Sequence, residues 1–281
     1  MGVPAVSEEL EQPQRPVTAT NRLGSSFLRR RWPEFTVEFI LIIVGILTAL
    51  TIDGLAQDRR DRETETTYLE LLRDDLTLIE AELAQFVAFE KSILSTGKTF
   101  LDAVSTSNQS SGDRPLHGML GELSIRRTLR LDSAVYTDLT STGNIQLIAN
   151  QDLRRRVVRY FADTERSELI VEKNSKEYVD EIFVRFLMDS GVTIRPDQSA
   201  LAPVSNANTI FLDVLGPDFS WPRNVVLQQP PNSPSWDDFR QQVLFRMRIA
   251  ASGQVMGERL SETTRQLRSR IEEELKRRDT D

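Results

Sequence analysis

Residues 35–56 read FTVEFILIIVGILTALTIDGLA, and the rest of the chain is organised around them. This is the one segment apolar enough to cross a bilayer. Its uncharged centre, 39–52, is shorter than the roughly 20 residues a span requires. Extended to 35–56 it reaches about 33 Å at 1.5 Å per residue, and it then includes Glu38 and Asp53. Both carboxylates stand within about a turn of an end, where a charged head can reach the interface. The run is apolar on all faces, which separates a span from the one-sided stripe of a surface helix. Gly45 and Ala49 form a small-xxx-small pair through which two such helices can approach closely. Arg29, Arg30, Arg31 and Trp32 precede the run as a headgroup edge would, and Pro33 suits the first turn of a helix. The reading is a single transmembrane helix over 34–56. The alternative is a signal peptide cleaved after Gly54-Leu55-Ala56, which a start so far from Met1 disfavours.

Before the helix, residues 1–33 are polar, carry Pro4, Pro13 and Pro16, and read as a disordered tail. Arg15, Arg22 and Arg29 to Arg31 precede the span, whereas Arg59, Arg60 and Arg62 follow it. That bias places the N-terminus in the cytoplasm and the large domain on the far side. The chain has 281 residues and a net charge of −7. The tail up to Glu34 holds five Arg against four Glu, so the acidic excess belongs to the large domain. An acidic domain disfavours nucleic acid or anionic lipid as its main partner, since both need a basic footprint. There are no cysteines, which excludes disulfides, thiolate zinc sites and Cys nucleophiles. A single histidine, His117, leaves no His pair or E-x-x-H for a metal-binding bundle. Neither metal nor cofactor is expected. His117 itself reads as a surface or capping residue.

From Gln57 the chain is charged but nothing in it stops a helix, so the span is expected to continue outward. Leu69, Leu72, Leu76, Ile79, Leu83, Phe86, Glu90, Ile93, Gly97, Phe100 and Val104 alternate in steps of three and four, a coiled-coil-type seam of about five heptads. Leu71, Leu78, Val87, Leu94 and Leu101 widen that face as a bundle helix requires. The helix should end in the loop 105–113. Ser95-Thr96-Gly97-Lys98 has S-x-x-K spacing and Gly97-Lys98-Thr99 ends like a P-loop, but partner motifs and the earlier glycine are missing, so both read as heptad positions.

Further on, 116–131 reads as a helix with Leu116, Leu120, Leu123 and Leu129 inward. Ala134, Tyr136 and Leu139 suit a short helix stopped by a left-handed Gly143, and Asn150 reads as the N-cap of the next. That helix should run to about Met188, with Leu153, Val157, Phe161, Val171, Tyr178, Ile182 and Phe186 inward. Arg154, Arg155, Arg156 and Arg159 on it form a basic cluster, read first as a solvated face and second as an anion or lipid-headgroup contact. Residues 190–235 hold seven of the twelve prolines and read as an irregular insert, with TIFLDVL (209–215) as a short extended segment. The last long helix, from Trp236 to about Arg278, turns Trp236, Phe239, Val243, Met247, Ala250, Leu260, Thr264, Leu267, Ile271 and Leu275 inward. Gly253 and Gly257 mark a thin stretch where a neighbour can pack close. The fold class is therefore all-α: an N-terminal transmembrane helix continuing into a long helix of an antiparallel bundle over 57–281, with the insert before the last helix.

Two blocks carry a resemblance. The first is Val44-Gly45-Ile46-Leu47-Thr48-Ala49-Leu50-Thr51-Ile52-Asp53, Arg59 to Arg62, Glu65-Thr66-Thr67-Tyr68-Leu69 and Asp75-Leu76. The second is Tyr136, Leu139, Ser141, Gly143, Ile145, Leu147-Ile148, Asn150, Leu153-Arg154 and Tyr160. Together they resemble an uncharacterised bacterial family of single-pass membrane proteins, a domain of unknown function. The resemblance implies a membrane anchor with a helical domain and no catalytic residues; with the arginine bias, the expected place is a bacterial inner membrane with the helical domain periplasmic. Where such proteins carry a Trp two residues after the Asp, this chain has Leu55. The functional expectation is a non-enzymatic interaction, scaffold or sensor-like module, partnered by the lipid bilayer and by further copies or another membrane protein. The alternative is a membrane-tethered hydrolase using Asp74, Asp75, Glu80 and Glu82, spacings that equally describe a solvated helix face.

Overall fold

The computed structural model describes residues 28–105, 114–193, 205–230 and 233–278. The described residues are all-α, without a strand. The chain divides into two units, 1–59 and 60–281. Helix α1, Leu28–Ser105, carries the described part of the first unit and the first long helix of the second. It begins five residues ahead of Pro33; the expected tail otherwise lies outside the described residues. Between Val37 and Ala56 its side chains are exposed, apart from a half-exposed Ala56.

In the second unit the 3–4 seam on α1 is buried at all eleven expected positions, Leu69 through Val104. It continues one step back to Glu65, which is 2% exposed. The seam packs against α7, Pro234–Arg278, whose buried positions also alternate by three and four, from Trp236 to Glu274. The helices run antiparallel: Glu65 pairs with Arg278, Glu80 with Arg268, Lys91 with Glu258, and Arg240 reaches the Val104 carbonyl. Each buried Leu or Phe on such a seam stabilises by roughly 1.5–3 kcal/mol. The glycines on α7 set the approach. A Cβ at Gly257 would stand 2.7 Å from Val87 Cγ2, and one at Gly253 3.1 Å from the Glu90 carboxyl.

The third long helix is composite. Helix α4, Gln151–Lys173, continues as a π-helix over Asn174–Val184 and closes as α5, Arg185–Asp189. Asn150 caps it as expected, its Oδ1 accepting from the N–H groups of Asp152 and Leu153 at 3.1 Å. It runs antiparallel to α7, in a register fixed by Asn150 on Glu274, Tyr160 on Thr264 and Tyr178 against Phe245. The π turn moves the buried face. Val171, Ser175, Val179, Phe183 and Leu187 are buried at a constant step of four, where Val171, Tyr178, Ile182 and Phe186 were expected. A turn closed by i→i+5 bonds is wider than 3.6 residues, so residues four apart stay aligned, and Ile182 turns out to solvent.

The chain returns from α1 to α4 without a fourth long helix. Helix α2 is only Arg114–Ser124, not 116–131. Beyond it 125–133 is neither helix nor strand, and side chains satisfy part of its backbone. Arg246 donates to the Leu123 and Ile125 carbonyls at 3.0 and 3.1 Å, and Glu168 accepts from the Leu131 N–H. Arg127 holds this leg to Glu82 and Gln85 of α1, and Ser133 holds it to Asp75. Leu116, Leu120, Leu123 and Leu129 are all buried as expected, but so is His117 at 2% exposure, because α2 is covered on more than one face. Ser133 caps α3, Ala134–Ser141, and Gly143 then stops the turn at φ 79° before a 3₁₀ turn, Asn144–Leu147.

The insert holds more helix than its prolines suggest. TIFLDVL lies in α6, Ser205–Leu215, which ends on Gly216 at φ 76°. A seven-residue apolar run is too short for periodicity to separate strand from helix. A 3₁₀ turn, Val225–Gln228, leads back towards α7. The core falls into two clusters. One gathers Leu69 to Phe86 of α1 with α3, α4 and the C-terminal half of α7. The other gathers Ile93 to Val104 with α2, the π-helix, α5 and the start of α7.

Candidate functional site

On the apolar segment, Gly45 and Ala49 sit one turn apart and exposed; a Cβ at Gly45 would meet nothing within 4 Å. The best 18-residue window has mean hydropathy 2.4, and none of it is buried. The two hydroxyls near its centre make no demand on a solvent. Thr48 Oγ1 donates to the Val44 carbonyl and Thr51 Oγ1 to that of Leu47, both at 2.7 Å. Back-bonding of this kind satisfies a hydroxyl inside its own helix, as a hydrocarbon environment requires.

A polar cluster lies where the seam of α1 begins. Glu65 accepts from the Ala149 N–H at 2.7 Å and pairs with Arg278. Tyr68 Oη donates to Asp138 at 2.6 Å and accepts from Asn144 Nδ2 at 3.0 Å. Burial works against ionising Glu274, yet Asn150 Nδ2 donating at 2.8 Å, with Arg277 and Arg278 alongside, holds its carboxyl below its ordinary range. The residues of the two sequence blocks thus meet: Glu65 and Tyr68 from the first, the segment from Tyr136 to Leu153 from the second. Glu65, Glu274 and Arg278 escape the sequence reading because the seams are taken to begin and end on apolar residues, at Leu69 on α1 and Leu275 on α7. The signal was present: the 3–4 alternation, continued from Leu69 and from Ile271, arrives at Glu65 and Glu274.

A second buried polar pair stands between the two core clusters. Glu90 Oε2 lies 3.9 Å from Arg246 Nη1, with side-chain exposures of 10% and 2%. Burial pushes the Glu90 carboxyl up to about 7, against the pull of Arg246. Burial likewise lowers Arg246, against the pull of Glu90. Arg246, a seam position taken up by a cation, was another residue missed.

The four carboxylates of the hydrolase alternative are not brought together. Asp74 pairs with Arg73, Asp75 accepts from Ser133, Glu80 binds Arg268 and Glu82 binds Arg127. Lys98 of the S-x-x-K near-miss pairs with Asp102. No group of three metal-ligating side chains occurs among the described residues. Two grooves flank α4. One, of about 370 Å³, lies against the irregular leg and is lined by Asp132, Glu165, Glu168 and Glu172 beneath the stacked rings of Tyr136 and Phe161. The other, of about 990 Å³, runs between α4 and α7 and is lined by arginines from both helices. Comparison with protein families, curated proteins and solved structures found no match, so the family resemblance rests on its residues alone.

Proposed function

We propose that the chain is a membrane-anchored helical module of the interaction, scaffold or sensor-like kind, not an enzyme. The observation that carries the reading is α1 itself. One helix is apolar and unburied over its first described stretch, with its threonines bonded inward, and buried on a heptad seam over its second. An element of that kind couples whatever holds its apolar part to whatever binds the bundle. The bilayer is the first partner, and further copies packing through Gly45 and Ala49, or another membrane protein, are the second. The placement is a single pass in a bacterial inner membrane, N-terminus cytoplasmic and bundle periplasmic, as the arginine bias and the family resemblance suggest. The hydrolase alternative has no observation in its favour, since each of its carboxylates has a separate partner.

The test is a topology assay with paired reporters at each end of the chain, one active only in the cytoplasm and one only in the periplasm. A C-terminal fusion active only as the periplasmic reporter is expected. Activity only as the cytoplasmic reporter overturns the orientation, and recovery of the fusion in the soluble fraction overturns the anchor.

A further inference from the structure

The α4–α7 groove carries the wrong charge for its protein. The chain is net −7, yet six arginines line this groove against Asp163, Glu262 and Glu273. The register set by Asn150 on Glu274, Tyr160 on Thr264 and Tyr178 on Phe245 orders them. It brings Arg156 to within two residues of the level of Arg270, Arg159 level with Arg265 and Arg166 to within one residue of the level of Arg259. These are three rungs of like charge facing across one groove. Asp163 and Glu262 form an acidic rung between the last two, and Ile170 and Val255 form an apolar rung one turn beyond Arg166 and Arg259. Some rungs are neutralised on their own helix: Arg156 by Asp152, Arg265 by Glu262, Arg270 by Glu273. Arg159, Arg166 and Arg259 form no ion pair with any described residue. Of these three rungs, Arg166–Arg259 is the one in which neither guanidinium forms an ion pair with a described residue, although Asp163 and Glu262 stand one turn away.

Two guanidiniums without an ion pair on one groove favour an anion there. Guanidinium binds phosphate through paired, charge-assisted N–H donors. What surrounds the rung selects the rest of the ligand. On one side the carboxylates of Asp163 and Glu262 repel a second anionic group. On the other, Ile170 and Val255, 39% and 66% exposed, offer apolar surface to a ligand. We propose that the groove between α4 and α7 is a binding site for a phosphate-bearing amphiphile, its phosphate between Arg166 and Arg259 and its apolar part against Ile170 and Val255. A phospholipid headgroup and a free alkyl phosphate share this chemistry. The proposal goes beyond the anchored-module reading and does not depend on it.

The absence of cysteine makes the groove addressable. Thr263→Cys places the sole thiol one turn from Arg259, at an exposed lining position. The full chain, solubilised in uncharged detergent, is labelled with a maleimide, and the rate is followed by mass spectrometry. Hexyl phosphate is expected to slow labelling by the factor 1 + [L]/Kd, about tenfold at ten times Kd, and inorganic phosphate to slow it less. The same variant is then labelled in phosphatidylcholine vesicles with and without phosphatidylglycerol. Slowing by phosphatidylglycerol alone assigns the ligand to the bilayer, and slowing by hexyl phosphate alone assigns it to a free phosphate ester. Arg166→Gln with Arg259→Gln should abolish the slowing, whereas Arg185→Gln with Arg248→Gln, outside the groove, should keep it. Unchanged rates in every arm overturn the site. So does equal slowing in the Arg166→Gln/Arg259→Gln variant, or equal slowing by sodium chloride at matched ionic strength.

Discussion

Glu90→Gln separates the energetics of the polar layer from everything else that titrates. In the folded chain burial raises the Glu90 carboxyl from its ordinary 4.5 to about 7. Below pH 4.5 it is protonated in both folded and unfolded states. Between 4.5 and 7 the unfolded chain has released the proton while the folded chain keeps it. The unfolded state then binds fewer protons, so stability falls as pH rises through this window and levels off above 7. At about 1.36 kcal/mol per unit over the shift from 4.5 to about 7, the full loss is about 3.4 kcal/mol. Glutamine keeps the shape and cannot ionise. Arg246 keeps its bonds to the Leu123 and Ile125 carbonyls in either case, and every other titrating group cancels in the comparison. The assay is urea unfolding of the detergent-solubilised full chain at pH 5 to 8. The reporter is Trp236, fully buried against Phe100 and Phe239, in a background where Trp32 and Trp221 are Phe. Wild type should lose about 2.5 kcal/mol more than Glu90→Gln between pH 5 and 8. Parallel profiles for the two proteins would refute the claim that this carboxyl is held protonated by burial.

Three further outcomes follow from the packing. Gly257→Ala should destabilise the bundle by about 1–3 kcal/mol in urea titration, because its Cβ meets Val87 and Phe86. Gly97→Ala should cost less, since the atoms it meets are the flexible end of Met247; a larger loss at Gly97 contradicts the packing described. Tyr68→Phe removes the bonds to Asp138 and Asn144 and should cost about 1 kcal/mol by the same titration. Gly45→Ile should leave the unfolding of the bundle unchanged, as nothing in the fold faces it, while lowering self-association of the full chain measured by light scattering in detergent. Equal self-association of variant and wild type removes that helix pair from consideration.

The long helices were legible because their signal is repeated. Eleven seam positions on α1 reinforce one another, so Glu90 and Gly97 could be read as core despite their types. Gly253 and Gly257 were legible as sites of close approach for the same reason, being set in a continuous 3–4 pattern. Short or singular features were not legible. The irregular leg 125–133 depends on Arg246, which lies about 120 residues away in sequence, so local propensity favoured helix. The π-helix shifts the inward face from Tyr178, Ile182 and Phe186 to Val179, Phe183 and Leu187, a displacement of one residue that 3.6-residue periodicity does not anticipate. Leu71 and Leu78, read as part of the core flank, stay 46% and 70% exposed, because the irregular leg covers less of α1 than a fourth helix would. The α4–α7 groove was half visible: Arg156 and Arg159 were noted as a basic cluster, but the facing Arg259 and Arg265 come from a helix a hundred residues on.

The pairing of α1 with α7 also governs how the protein can be made. Arg268 and Glu80 meet across 188 residues of chain, and the contacts between the two seams are all of that long-range kind. Loop closure over such a distance slows folding. While the ribosome is still extending the chain, the stripe from Leu69 to Val104 lacks its α7 partner. Exposed apolar surface of this sort invites aggregation or capture by a holding chaperone. A truncation that removes only the end of α7 therefore strands the first helix as well as the last, and turnover by quality-control proteases should track the loss of the C-terminus more closely than the loss of any internal loop.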